Sequence, residues 1–188
     1  MFLDVKNKLK KNFKDVKTIY LDYFKGYGGF HEIVTSVYFV IAVFINLFAY
    51  KAWIGNSWID NIQNIIPDIV GFSLGVYAIL ISFGNDKFQT FITEKEENKL
   101  DKPDYSTMYL KLNTTFIHFI LMQILALILS ILGGSLLIEP YGILEIVFAF
   151  FCHLVFVYSL MLCVAAVFCV FRIARTYQEY KNYMKPDE

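Results

Sequence analysis

The sequence predicts an all-α, polytopic integral membrane protein with four transmembrane helices, both termini in the cytoplasm, and helices that continue beyond the bilayer on that side. Three observations carry this. The 188-residue chain is 57% apolar and 18% aromatic but only 18% charged, with a mean hydropathy of +0.50, whereas a soluble domain is about half apolar and a quarter charged. Four segments supply the roughly 20 mainly apolar residues that a helix needs to cross about 30 Å of hydrocarbon. The basic residues are segregated between those segments, although the totals, 17 basic and 17 acidic, cancel. That balance argues against nucleic-acid binding driven by net charge, and no direct nucleic-acid contact is expected. The composition equally excludes a disulfide-rich secreted module and a disordered tail.

Residues 1–30 read as a basic amphipathic helix. Val5, Leu9, Phe13, Val16, Tyr20 and Tyr23 recur every three or four residues, which aligns them on one helical face. Lys6, Lys10, Lys14 and Lys17 are then placed to meet lipid headgroups of an anionic leaflet. Packing of this helix on another part of the same chain is the equal alternative. Gly26, Gly28 and Gly29 break it before the membrane.

The four-helix bundle is expected over 31–171. Its first span, about 33–53, follows a lysine-rich start but has no small-residue cleavage pattern, so it reads as an uncleaved anchor. The second, about 65–83, has Pro67 in its expected first turn, where a missing N–H removes no helical bond. Along it Gly71, Gly75, Ala78 and Ser82 form a small-residue stripe at steps of four, three and four, a surface for helix packing or homo-oligomerisation. The third and fourth spans, about 114–138 and 143–171, are joined by Glu139-Pro140-Tyr141-Gly142 and are therefore expected to be antiparallel neighbours. Trp53, Trp58 and Tyr141 are expected at the outer interface.

Between spans two and three, about 84–113, apolar spacing continues through Phe88, Phe91 and Ile92 and resumes at Tyr105, Met108, Tyr109 and Leu112. This predicts a cytoplasmic helical hairpin turning at Lys102-Pro103-Asp104. Phe88, Phe91, Lys95 and Lys99 are its candidate partner-docking residues. Tyr177, Tyr180 and Met184 extend the fourth helix into the 172–188 tail. Seven lysines precede span one, five lie between spans two and three, and Arg172, Arg175, Lys181 and Lys185 follow span four. All three groups fall on one side when both termini are cytoplasmic, as the excess of Lys and Arg in cytoplasmic loops requires.

No motif with a catalytic mechanism is present: no GxxxxGK[ST], HExxH, GxSxG, CxxC or EF-hand loop. The expectation is a non-enzymatic protein without a catalytic residue, cofactor or metal. His31, His118 and His153 are scattered over separate elements, unlike the close spacing of zinc ligands. Cys152, Cys163 and Cys169 share one span and read as small apolar residues. Asn46, Gln123 and His153 are the intramembrane polar residues, expected to hydrogen-bond across helices rather than conduct.

These features favour an oligomeric membrane anchor or sensor that docks a cytoplasmic effector. The alternative is a small channel or membrane-permeabilising effector formed by homo-oligomers; an integral-membrane lipid enzyme is the weakest option. The four-span layout, the lysine-rich start, the Phe/Ile/Lys/Asn-rich usage and the segment Ile66-Pro67-Asp68-Ile69-Val70-Gly71-Phe72-Ser73-Leu74-Gly75 resemble small membrane proteins of bacterial anti-phage defence islands. The membrane subunit of Kiwa-type systems is the nearest of these. The resemblance implies an inner-membrane oligomer that detects phage attack at the envelope and works with a cytoplasmic, DNA-binding partner. It carries over no functional residue. Membrane effectors of retron and cyclic-nucleotide systems look much alike, and the pore alternative belongs to them.

Overall fold

The computed structural model describes residues 2–54, 57–82, 84, 86–93, 108–137 and 142–184. Among these residues eight helices follow in order: α1 (Phe2–Tyr27), α2 (Gly29–Thr35), α3 (Val37–Phe48), α4 (Tyr50–Ile54), α5 (Ser57–Ser82), α6 (Asp86–Thr93), α7 (Met108–Leu136) and α8 (Ile143–Tyr183). There is no strand among the described residues. α5, α7 and α8 are each long and apolar enough to cross a membrane; α2 and α3 reach that length only as a pair bent by 54°. The chain is therefore an integral membrane protein with three to four candidate spans.

The first span departs most from its expected form. Ser36 is extended (φ −62°, ψ 132°) and serves as both the C-cap of α2 and the N-cap of α3. Its N–H bonds to the Ile33 carbonyl and its own carbonyl accepts from Val40 N–H, so both backbone groups are satisfied across the bend. Thr35, Ser36 and Val37 are all weak helix formers, β-branched or able to compete for backbone bonds. A second break at Ala49 separates α4, whose Trp53 folds back to donate its indole N–H to the Asn46 carbonyl at 2.9 Å.

α5 begins at Ser57, eight residues before the expected start, so Pro67 lies in the helix interior rather than in its first turn. The carbonyl four residues earlier then loses its helical donor. In α5 Trp58 packs inside the bundle, 1% exposed. α5 ends at Ser82, and Gly84, with a φ of +92° that favours glycine, separates it from α6. The arm of the hairpin that follows span two is thus interrupted rather than continuous, while α7 does extend six residues ahead of Thr114. The hairpin turn lies outside the described residues, as does the connection 138–141. α8 runs unbroken for 41 residues, past the expected end of span four and into the predicted extension.

α7 packs between α5 and α8, and α3 packs on α8. α5 and α7 are antiparallel: Trp58 meets Gly133 at one end, and Tyr77 stacks on Phe116 at the other. Apolar side chains gain little by leaving lipid for each other, so close packing and interhelical hydrogen bonds must hold such a bundle. Gly133 shows the packing. A Cβ there would lie 3.0 Å from Cη2 of Trp58, so only glycine admits the indole without displacement. Ile62, Ile66, Ala42 and Ala126 complete a core that water does not reach.

Candidate functional site

Three side-chain clusters connect the helices, two of them polar. The first joins Asn46 of α3 to His153 of α8. His153 Nδ1 lies 2.6 Å from Asn46 Oδ1; an amide oxygen only accepts, so Nδ1 carries the hydrogen. Asn46 Nδ2 donates to the Phe150 carbonyl at 3.3 Å, and Trp58 meets the His153 ring edge-on, centroids 6.4 Å apart. Gln123, the third expected intramembrane polar residue, does not join them. Its Nε2 points to Cys163 Sγ at 3.7 Å. Trp58 Nε1 and Gln123 Oε1 are the buried side-chain atoms without a hydrogen-bond partner among the described residues.

The second cluster was not singled out by the sequence. His118 of α7 is 1% exposed and is held at both ring nitrogens: Tyr23 Oη of α1 is 2.6 Å from Nδ1, and Tyr158 Oη of α8 is 3.0 Å from Nε2. In a neutral imidazole one nitrogen donates and the other accepts, so one phenol donates to the ring and the other receives from it. Tyr27 stacks on the same ring, centroids 3.9 Å apart. One turn away the Thr114 hydroxyl, within reach of the Leu110 carbonyl at 2.9 Å, also lies 3.3 Å from the Gly26 carbonyl, and a Cβ on Gly26 would come within 2.8 Å of Thr114 Cγ2. These contacts fasten the last turn of α1 to α7 and α8. Burial, reinforced by neighbouring Tyr20, holds the Tyr23 hydroxyl well above its ordinary pKa; burial also raises Tyr27. The signal that points here is Tyr20, Tyr23 and Tyr27 at steps of three and four, ending beside a glycine.

The third cluster lies where α6 folds back on the last turns of α8. Phe88 is 1% exposed and packs edge-on against Tyr177 and tilted against Tyr180, with Ile92 beside it. Phe88 is therefore part of the chain's own packing and not an accessible docking residue. Phe91 rests on Tyr180 at 5.2 Å yet remains 46% exposed. Lys95 and Lys99 lie outside the described residues. Beneath α6 a cavity of about 30 Å³ is lined by Tyr77, Phe88, Asn113 and Phe116, room for about one water molecule. The Tyr77 hydroxyl donates to Asn113 Oδ1 beside it.

Among the exposed residues of the described chain, two sets coincide with candidates read from the sequence. Gly71, Gly75, Ala78 and Ser82 all face outward, and a Cβ at Gly71 or Gly75 would meet nothing within 4 Å. On α1, Val5, Leu9, Phe13 and Val16 are exposed, together with Lys6, Lys10, Lys14 and Lys17. Among the described residues no group of three or more His, Cys, Asp or Glu could hold a metal ion, and Cys152, Cys163 and Cys169 are unbridged. Comparison with protein-family models, curated proteins and solved structures returns no match for this chain.

Proposed function

We propose that this protein is a non-enzymatic, oligomeric subunit of a bacterial inner membrane, with both termini cytoplasmic, that anchors or senses at the membrane and docks a cytoplasmic effector. The observation that carries this reading is the platform of α6 and the end of α8. Phe88, Ile92, Tyr177 and Tyr180 lock the two helices together beyond the apolar stretch of α8 and leave Phe91 at the surface. Such a built structure outside the apolar segments supports a surface for another molecule. The outward stripe on α5 supports assembly with further copies, because small residues let helices approach closely in lipid. The resemblance to Kiwa-type membrane subunits supports a role in anti-phage defence with a nucleic-acid-binding partner.

The test is purification from the native host in mild detergent, with the mass of the complex measured. A stoichiometric soluble partner that is lost in Phe91→Asp, with membrane insertion and complex-free yield unchanged, is the expected result. Equal recovery of the partner with Phe91→Asp would remove the platform as its docking surface.

A further inference from the structure

We propose that α1 binds an anionic lipid surface beside the bundle through one particular row of its lysines. The inference rests on the membrane-embedded bundle and is independent of any soluble partner. It starts from what α1 lacks. Every described side chain from Asp4 to Asp22 is exposed, and the arm is tied to α7 and α8 only through its last turns. An amphipathic helix draws most of its stability from whatever covers its apolar face, and among the described residues nothing covers this one.

Charge identifies the surface. Lys6, Lys10, Lys14 and Lys17 stand at steps of four, four and three, one row along the helix, and none has an acidic residue three or four positions away. The other lysines of α1 do: Lys8 follows Asp4 by four, Lys11 precedes Asp15 by four, and Lys25 follows Asp22 by three. The arm thus has an uncompensated basic row and a compensated mixed one. The basic row borders the apolar face, since Lys6, Lys10 and Lys17 each precede an exposed apolar or aromatic residue, Leu9, Phe13 and Tyr20, by three. A lipid surface supplies what this edge needs. Acyl chains cover Leu9 and Phe13 while phosphates lie at the height of the ammonium groups, whose stems snorkel along the same boundary. The arm also leaves the bundle at its basic end: α1 is joined through Gly28 (φ +111°) to α2, the start of the bent span, so the bilayer is the surface within its reach.

The experiment reconstitutes the full chain into nanodiscs of phosphatidylcholine alone or mixed with phosphatidylglycerol and follows hydrogen exchange of amides 4–20. Exchange should slow with the anionic lipid, by about fivefold for each lysine engaged at low salt, and the protection should fade as salt screens it. Two double variants remove equal charge from the two rows. Lys10→Gln with Lys14→Gln should abolish most of the lipid-dependent protection, and Lys8→Gln with Lys11→Gln should keep it. Equal loss in both variants would show net charge at work and overturn the row. Protection that is the same in both lipids would mean that protein, another copy or an effector, covers the face, and would overturn the proposal. Failure of the chain to enter nanodiscs at all would overturn the membrane reading beneath it, a result distinct from the others.

Discussion

At the scale of single residues, the buried polar side chains decide more than the apolar ones. Asn46 and His153 meet at 2.6 Å, both buried in the bundle. Asn46→Leu and His153→Leu should each destabilise the bundle by about 1 kcal/mol, and the double variant should cost clearly less than their sum, leaving a coupling of about 1 kcal/mol. Unfolding in mixed micelles measures all three; strict additivity would mean that the pair contributes nothing jointly. The Tyr23 and Tyr27 hydroxyls give a second prediction. Burial raises both above the free value of 10, so the docked arm holds its protons more tightly than a released one. Docking is therefore fully stabilised below pH 10 and weakens as pH rises through the elevated values of the docked phenols. Tyrosinate absorbance should show late-titrating groups that Tyr23→Phe reduces. Ordinary titration of every tyrosine would contradict that burial.

At the scale of elements, a glycine sets where α1 touches the bundle. A side chain at Gly26 would meet Thr114 Cγ2 within 2.8 Å at its Cβ alone. Gly26→Val should push α1 off α7, costing about 1–3 kcal/mol of docking, while α5, α7 and α8 keep their own contacts. Trypsin reads this directly, since α1 carries seven of the chain's lysines: cleavage there should accelerate while the bundle stays intact. Unchanged cleavage would mean that the arm tolerates a wider separation. Periodicity made α1, α5, α7 and α8 legible, because long amphipathic or apolar runs leave little ambiguity. The bend at Ser36 was not read, although Thr-Ser-Val carries a weak signal for it; hydropathy averages over such a break because an extended serine costs no apolar residue. Pro67 was misplaced for a related reason. The polar residues Ser57, Asp60, Asn61, Gln63 and Asn64 lower the hydropathy of the first turns of α5, yet a helix continues through them.

At the scale of the whole molecule, the arrangement of clusters was less legible than the helices themselves. Asn46 and His153 were identifiable as isolated polar residues in apolar runs, and they do meet. His118 was not, because a histidine at the end of a span reads as interfacial, and its partners Tyr23 and Tyr158 lie 95 and 40 residues away. Phe88 was read as surface since a short amphipathic helix does not disclose which neighbour its apolar face meets. The outward α5 stripe carries the assembly prediction. A Cβ at Gly75 meets nothing within 4 Å and the position faces outward, so Gly75→Leu should leave the monomer fold intact, whereas the mass of the detergent-solubilised complex should fall. An unaltered mass would place the contact between copies elsewhere.

α8 has no interruption in 41 residues, about 60 Å at 1.5 Å per residue. α5, by contrast, ends at Ser82 short of Gly84, and the first span is bent by 54° at Ser36. α8 instead carries His153, Tyr158 and Tyr180, one from each cluster, on a single shaft. The angular phase between the Asn46 pair, the His118 latch and the α6 platform is thereby fixed.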